Sequence, residues 1–162
     1  MPVAEVFQWL EASSLAVYVR QSHLLYPAIE IVHIAGFILL TGSAFLFDIR
    51  LLGASKKIPV TDLARHLLPW SRRSLLLVIP SGLLLFMTQA TSLSDNRVFW
   101  TKLILILLAF ANAGFFHWVT FRNVSAWNHL QPTPAPAKAA GIISLVLWTG
   151  VIMCGRFLAY LE

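Results

Sequence analysis

The chain has 162 residues, is 58% hydrophobic and only 12% charged, and its mean hydropathy is +0.75. That balance excludes a soluble globular domain, in which charged residues make up about a quarter of the chain. The formal net charge of +5 does not indicate nucleic acid as a partner, because the basic residues sit at the ends of apolar runs, where lipid headgroups and topology account for them.

The first stretch is amphipathic. Val3, Val6, Phe7, Leu10, Ala12, Leu15 and Val19 recur at helical spacing, with Glu5, Gln8 and Glu11 between them. The spacing predicts a short interfacial helix over about 3–19, lying on the membrane surface. Met1–Arg20 has no basic leading segment and no small-x-small site, so it does not read as a cleavable signal peptide.

Four apolar runs follow, over roughly 24–47, 74–90, 98–121 and 137–161. Each is close to the ~20 residues that cross a hydrocarbon layer of ~30 Å. With their flanks they predict spans over about 24–52, 62–90, 96–122 and 137–161. The fold class is therefore all-α: a single transmembrane domain over 1–162, an integral membrane four-helix bundle preceded by the interfacial helix. Thr61-Asp62 reads as the cap of the second span and Ser94-Asp95 as the cap of the third. Pro69 and Pro80 predict a kink within the second span. Pro132-Thr133-Pro134-Ala135-Pro136 predicts a stiff extended turn before the fourth.

Charge sets an expected orientation. Arg50, Lys56, Lys57, Arg65, Arg72, Arg73, Arg122 and Lys138 fall at one end of a four-span chain, and Arg20, Arg97, Lys102 and Arg156 at the other. The positive-inside rule puts the first set in the cytoplasm. The expected location is a bacterial inner membrane, multi-pass, with both termini periplasmic. The expected partners are the lipid bilayer and either further copies of the chain or other membrane subunits, with no nucleic acid.

Ionisable residues inside spans are functional candidates by default. One set lies towards the terminal side: Glu30 and His33 in span one, Met87 in span two, and Met153 and Cys154 in span four. Imidazole with thioether or thiolate suits Cu(I). The alternative is a polar clamp between helices, with methionines filling gaps. Cys154 is the only cysteine, which excludes an intrachain disulfide.

A second set lies towards the opposite side. His66 and His117 fall at similar depth on helices expected to be neighbours, as two axial ligands of a b-type haem would. Arg50, Arg65, Arg72 and Arg73 stand where haem propionates would sit. The alternative is a solvated His66 and a His117 bonded to backbone. Asp48 and Arg50 read as part of an interfacial ion network. No nucleophile elbow, phosphate loop, dinucleotide fingerprint or Cys-x-x-Cys-His site is present, so no catalytic residue is assigned.

Ile31-Val32-His33-Ile34-Ala35-Gly36, Asp48-Ile49-Arg50-Leu51-Leu52-Gly53, Leu68-Pro69-Trp70, and Asn112 with His117 five residues on together resemble a family of small, uncharacterised bacterial four-span proteins. More remotely, the histidine-bearing four-span layout is similar to the copper-resistance D membrane domain and to b561-type cytochromes. Those resemblances imply copper handling or haem-based electron transfer. Three readings stay open: a membrane subunit carrying one b-type haem, a copper-handling protein, and an accessory subunit without cofactor.

Overall fold

The computed structural model describes residues 3–160. Four helices in it are long and apolar enough to cross a membrane. These are α3 (Leu25–Leu51), α4 (Val60–Thr88), α6 (Arg97–Phe115), whose apolar segment runs on to Ala126, and α7 (Ala135–Leu158). Three short helices, α1 (Val3–Glu11), α2 (Ser14–Gln21) and α5 (Ala90–Asp95), gather at the terminal end. No strand occurs among the described residues. Large apolar side chains line the outside: Leu76 is 75% exposed, Leu107 67% and Val146 65%. In water this surface would be unfavourable; against lipid tails it is the expected state, and helices satisfy their own backbone bonds there.

The close helix pairs are α3–α4, α6–α7 and α3–α7. Small residues set them. A Cβ at Gly36 would meet Leu77 Cβ at 2.9 Å, and one at Gly141 would meet the Asp48 carbonyl oxygen at 3.3 Å. Helices without a hydrophobic drive between them associate through such close contact. α4 and α6 do not pack backbone to backbone in this way. The space between them is bridged by side chains, with Phe47, Leu51, Ala64 and Phe116 in one buried cluster and Leu40, Ala109, Trp148 and Val151 in another.

The two long connections are tied together by a buried arginine. Gly53, at φ +107°, ends α3 in a conformation that favours glycine. Arg50, one turn earlier, is 1% exposed. Its Nε donates to the Ile58 carbonyl at 2.8 Å and its Nη2 to the Asn128 carbonyl at 3.4 Å. Asn128 then caps α4 from across the chain: its Oδ1 accepts from Thr61 N–H at 2.9 Å, and its Nδ2 donates to Thr61 Oγ1 at 3.0 Å. The Asp48–Arg50 ion network expected from sequence does not form. Among the described residues the ion pairs are Glu11–Arg20 and Asp62–Arg65.

Other local expectations change as well. α4 begins after Pro59 with no cap from its own side chains. Ser94 and Asp95 end α5, and Asn96 caps α6, accepting from Val98 N–H at 2.8 Å. Pro69 and Pro80 both lie inside α4, as expected. Pro134 does precede α7 in an extended conformation. The N-terminal helix is broken at Ser13, whose hydroxyl caps α2.

The N-terminal pair is also fastened to the bundle. The Glu11 carboxylate accepts from the Thr91 N–H at 2.9 Å and faces Arg20 at 3.2 Å. Arg20 in turn donates to the Thr88 carbonyl at 3.0 Å. Phe7 meets Phe86 edge-on at 6.0 Å. The Thr91 hydrogen bonds, and secondarily the Arg20 charge, hold the Glu11 carboxyl below its ordinary value of 4.5. A depressed folded-state value means that the carboxylate's contribution is full above the ordinary value. It is lost as pH falls through the folded one.

Two outcomes follow. The stability difference between the native protein and Glu11→Gln, read as thermal midpoints in detergent, is greatest at neutral pH and closes as pH drops below the ordinary carboxylate range. Arg50→Ala strips two buried carbonyls of a charged donor and destabilises by about 3 kcal/mol, whereas Asn128→Ala costs about 1–2 kcal/mol. The double variant loses less than the sum, because both act on one network.

Candidate functional site: an intramembrane polar cavity

The gap between α4 and α6 leaves a cavity of about 110 Å³ bounded by all four long helices. Helical phase puts its polar groups there. On α3, Leu40, Ser43, Ala44, Phe47, Asp48 and Leu51 share one stripe facing inward. Ser71 on α4 lines it, as do Asn112 and His117 from α6 and its extension, and Ser144 on α7. Six polar side chains thus converge from four helices.

Asp48 is the charged member. It is 6% exposed, and the Ser144 hydroxyl is its hydrogen-bonding neighbour. Its Oδ2 has no partner among the described residues. Neighbouring polar groups in the spans are satisfied by backbone: Thr41 donates to the Phe37 carbonyl at 2.8 Å and Ser74 to the Ser71 carbonyl at 2.6 Å. Asn112 Nδ2 donates to the Ala140 carbonyl at 2.9 Å, which leaves its amide oxygen available to the cavity. An unpaired buried carboxylate oxygen is the exception in this bundle, and such a group is costly unless something meets it.

His117 reaches the cavity through a change of helix type. α6 passes into a π-helical turn over Phe116–Thr120 and then a 3-10 segment over Phe121–Ala126. π-turns are rare, and they recur where a side chain must be re-aimed at a functional site. Phe116 enters the core at 4% exposure. The imidazole sits between Phe116 and Phe121, each ring centroid at 5.3 Å. The charge acting on it is that of Arg72 on α4.

Of the residues expected around a haem, His117 lines the cavity and the others take different surroundings. His66 is exposed and lies outside the cavity that His117 lines. Its neighbours Leu67, Leu68 and Ser71 take the inward positions. Arg50 is committed to the connections, and the exposed Arg65 pairs with Asp62 in the first turn of its own helix. Arg72 and Arg73 are exposed, with the Arg73 guanidinium 5.6 Å from the Trp70 ring centroid. At about 110 Å³ the cavity is also well short of the ~300–1,000 Å³ of ordinary cofactor pockets.

Within the soft-ligand set, His33 is engaged with α4, and the half-buried Lys102 interacts electrostatically with both His33 and Cys154. His33 Nδ1 lies 3.1 Å from the Val78 carbonyl oxygen and 3.0 Å from Ser81 Oγ. The ring is pressed against Gly82, where a Cβ would stand 2.9 Å from its Cε1. His33 therefore clamps α3 to α4. Glu30 is exposed, Met153 is 51% exposed, and Met87 and Cys154 are half-buried. No group of three or more His, Cys, Asp or Glu placed to hold a metal ion occurs among the described residues.

Ser43, Ser71 and Ser144 were not singled out from sequence. Serines inside apolar spans are a weak signal, since most bond to their own helix. Asp48 carried the stronger one, as an acid within a span.

No curated protein and no solved structure matches the chain. A family model matches residues 6–161, nearly the whole bundle with its N-terminal helices. The chain belongs to that family, a family of unknown function designated DUF6644.

Proposed function

We propose that this polytopic membrane protein is a binding subunit: its intramembrane cavity takes a small hydrophilic guest at Asp48. The unpartnered Oδ2 of Asp48 carries this reading. A bundle whose role was packing alone would be better served by an apolar residue there, because a buried unpaired carboxylate opposes folding. Such groups persist in membranes chiefly at substrate and ion sites. The serine hydroxyls, the Asn112 amide and the His117 imidazole supply both donors and acceptors around the guest.

In this reading the protein sits in a bacterial inner membrane with both termini periplasmic. The eight basic residues at the end carrying the two connections support that orientation, against four at the other. The cavity then lies in the cytoplasmic half. Its size suits an ion with waters or a very small solute. The haem and copper readings fit less well, because His66 and His117 face different surroundings and His33 is engaged with α4.

The test is chemical access. In a Cys154→Ser background, Ser144→Cys is treated with a small, positively charged thiol reagent. Labelling of the folded protein at a rate above that of a lipid-facing control, Val146→Cys, is the expected result. A cysteine at 144 that reacts only after denaturation shows a sealed, dry site and overturns the reading.

A further inference from the structure

We propose that the guest is a single monovalent metal cation, of the sodium class, held with Asp48 as its one anionic ligand. The inference rests on the cavity reading above and identifies what occupies it. Five observations converge: the cavity between the four helices, the 6% exposure of Asp48, its unpartnered Oδ2, the oxygen chemistry of the other groups, and the absence, among the described residues, of an ion pair to the carboxylate.

The donor set is hard. Asp48 contributes carboxylate oxygen, Ser43, Ser71 and Ser144 contribute hydroxyls, and Asn112 offers an amide oxygen once its Nδ2 is held by the Ala140 carbonyl. Oxygen ligands of this kind select alkali and alkaline-earth ions over soft metals. Neither thiol nor thioether lines the cavity, and His117 is its sole imidazole.

Charge then chooses among the hard ions. One carboxylate balances one positive charge, and no second acid lines the site. Sites for divalent ions in protein usually combine several charged oxygens. Arg72 adds positive potential on the α4 side, where it acts on His117. A second unit of charge on the ion would have no counterpart in a low-dielectric surrounding.

Arg50 does not fill the role. It lies two positions along α3, so it projects from a different face of the helix. Its Nε and Nη2 are held by the Ile58 and Asn128 carbonyls; its Nη1 is buried without a partner, yet no ion pair joins it to Asp48 among the described residues. Water alone would satisfy the Oδ2 lone pairs without neutralising the carboxylate. A proton neutralises the carboxylate and so competes for the site, but it leaves the hydroxyl and amide oxygens around it without a cation; a monovalent metal cation neutralises the carboxylate and engages those oxygens together.

The experiment uses the full chain in detergent, at alkaline pH to remove competition from protons. Thermal midpoints are measured against NaCl, with choline chloride replacing it at constant ionic strength. The native protein should be stabilised by sodium in a saturable way, as ligand linkage requires. Radioactive sodium should bind at one ion per chain. Asp48→Asn should abolish both effects while keeping its helix content and elution volume. Ser43→Ala, which leaves the carboxylate in place, should weaken sodium binding several-fold, so the proposal stays testable if Asp48→Asn fails to fold. Equal midpoints in sodium and choline overturn the proposal, as does a response to magnesium or calcium alone, or sodium binding unchanged in Ser43→Ala and Asp48→Asn. If the cysteine at 144 is labelled but sodium has no effect, the cation falls and the hydrophilic cavity stands. If neither occurs, both fall.

Discussion

A hydrocarbon layer offers no hydrogen bonds, so every polar group taken into it must find a partner inside the protein. This constraint governs the bundle. The backbone meets it by helix formation, and the small polar side chains meet it by turning back on their own helices, as Thr41, Ser74 and Thr88 do. His33 meets it across the α3–α4 contact. Arg50 meets most of it by gathering the carbonyls of two connections. Asp48 meets only part of it, and it is placed where four helices leave a space between them.

That space follows from how the helices pair. α3 approaches α4 at Gly36 and α7 at Gly141, and the latter contact is against the backbone of Asp48 itself. α6 joins through α7, so α4 and α6 meet mainly through side chains. The π-helical turn after α6 brings Phe116 into the core and His117 to the cavity. Arg50 and Asn128 fasten the connections just beyond, fixing the end of α3 on which Asp48 stands. Among the described residues, two buried side-chain atoms here lack a partner, Asp48 Oδ2 and Arg50 Nη1, and of the two residues it is Asp48 that faces the cavity.

The four spans were legible in the sequence because apolar length is a strong physical signal. The caps were not. Asn128 caps α4 from far along the chain, and no local pattern encodes a partner brought in by tertiary packing. Within the site, His117 was legible as an ionisable residue in a span. Asp48 was visible but read, with Arg50, as part of an interfacial ion network with the basic residues at the start of span two; no such ion pair forms among the described residues, and two positions along a helix face apart. His66 differs by one position from Leu67 on the inward stripe, a rotation of about 100° that depth alone does not resolve. The three serines became meaningful only once helix rotation placed them around one space.

The central claim is that the Asp48 region holds a hydrated, hydrophilic space within the membrane. Solid-state NMR of the protein in lipid bilayers, with magnetisation transferred from water protons to selectively labelled aspartate, asparagine and valine, tests it most directly. The account predicts that Asp48 and Asn112 receive water magnetisation nearly as fast as Asn128 in the connection. Transfer to Asp48 as slow as to the buried Val151 would show a dry, closed packing and contradict the account.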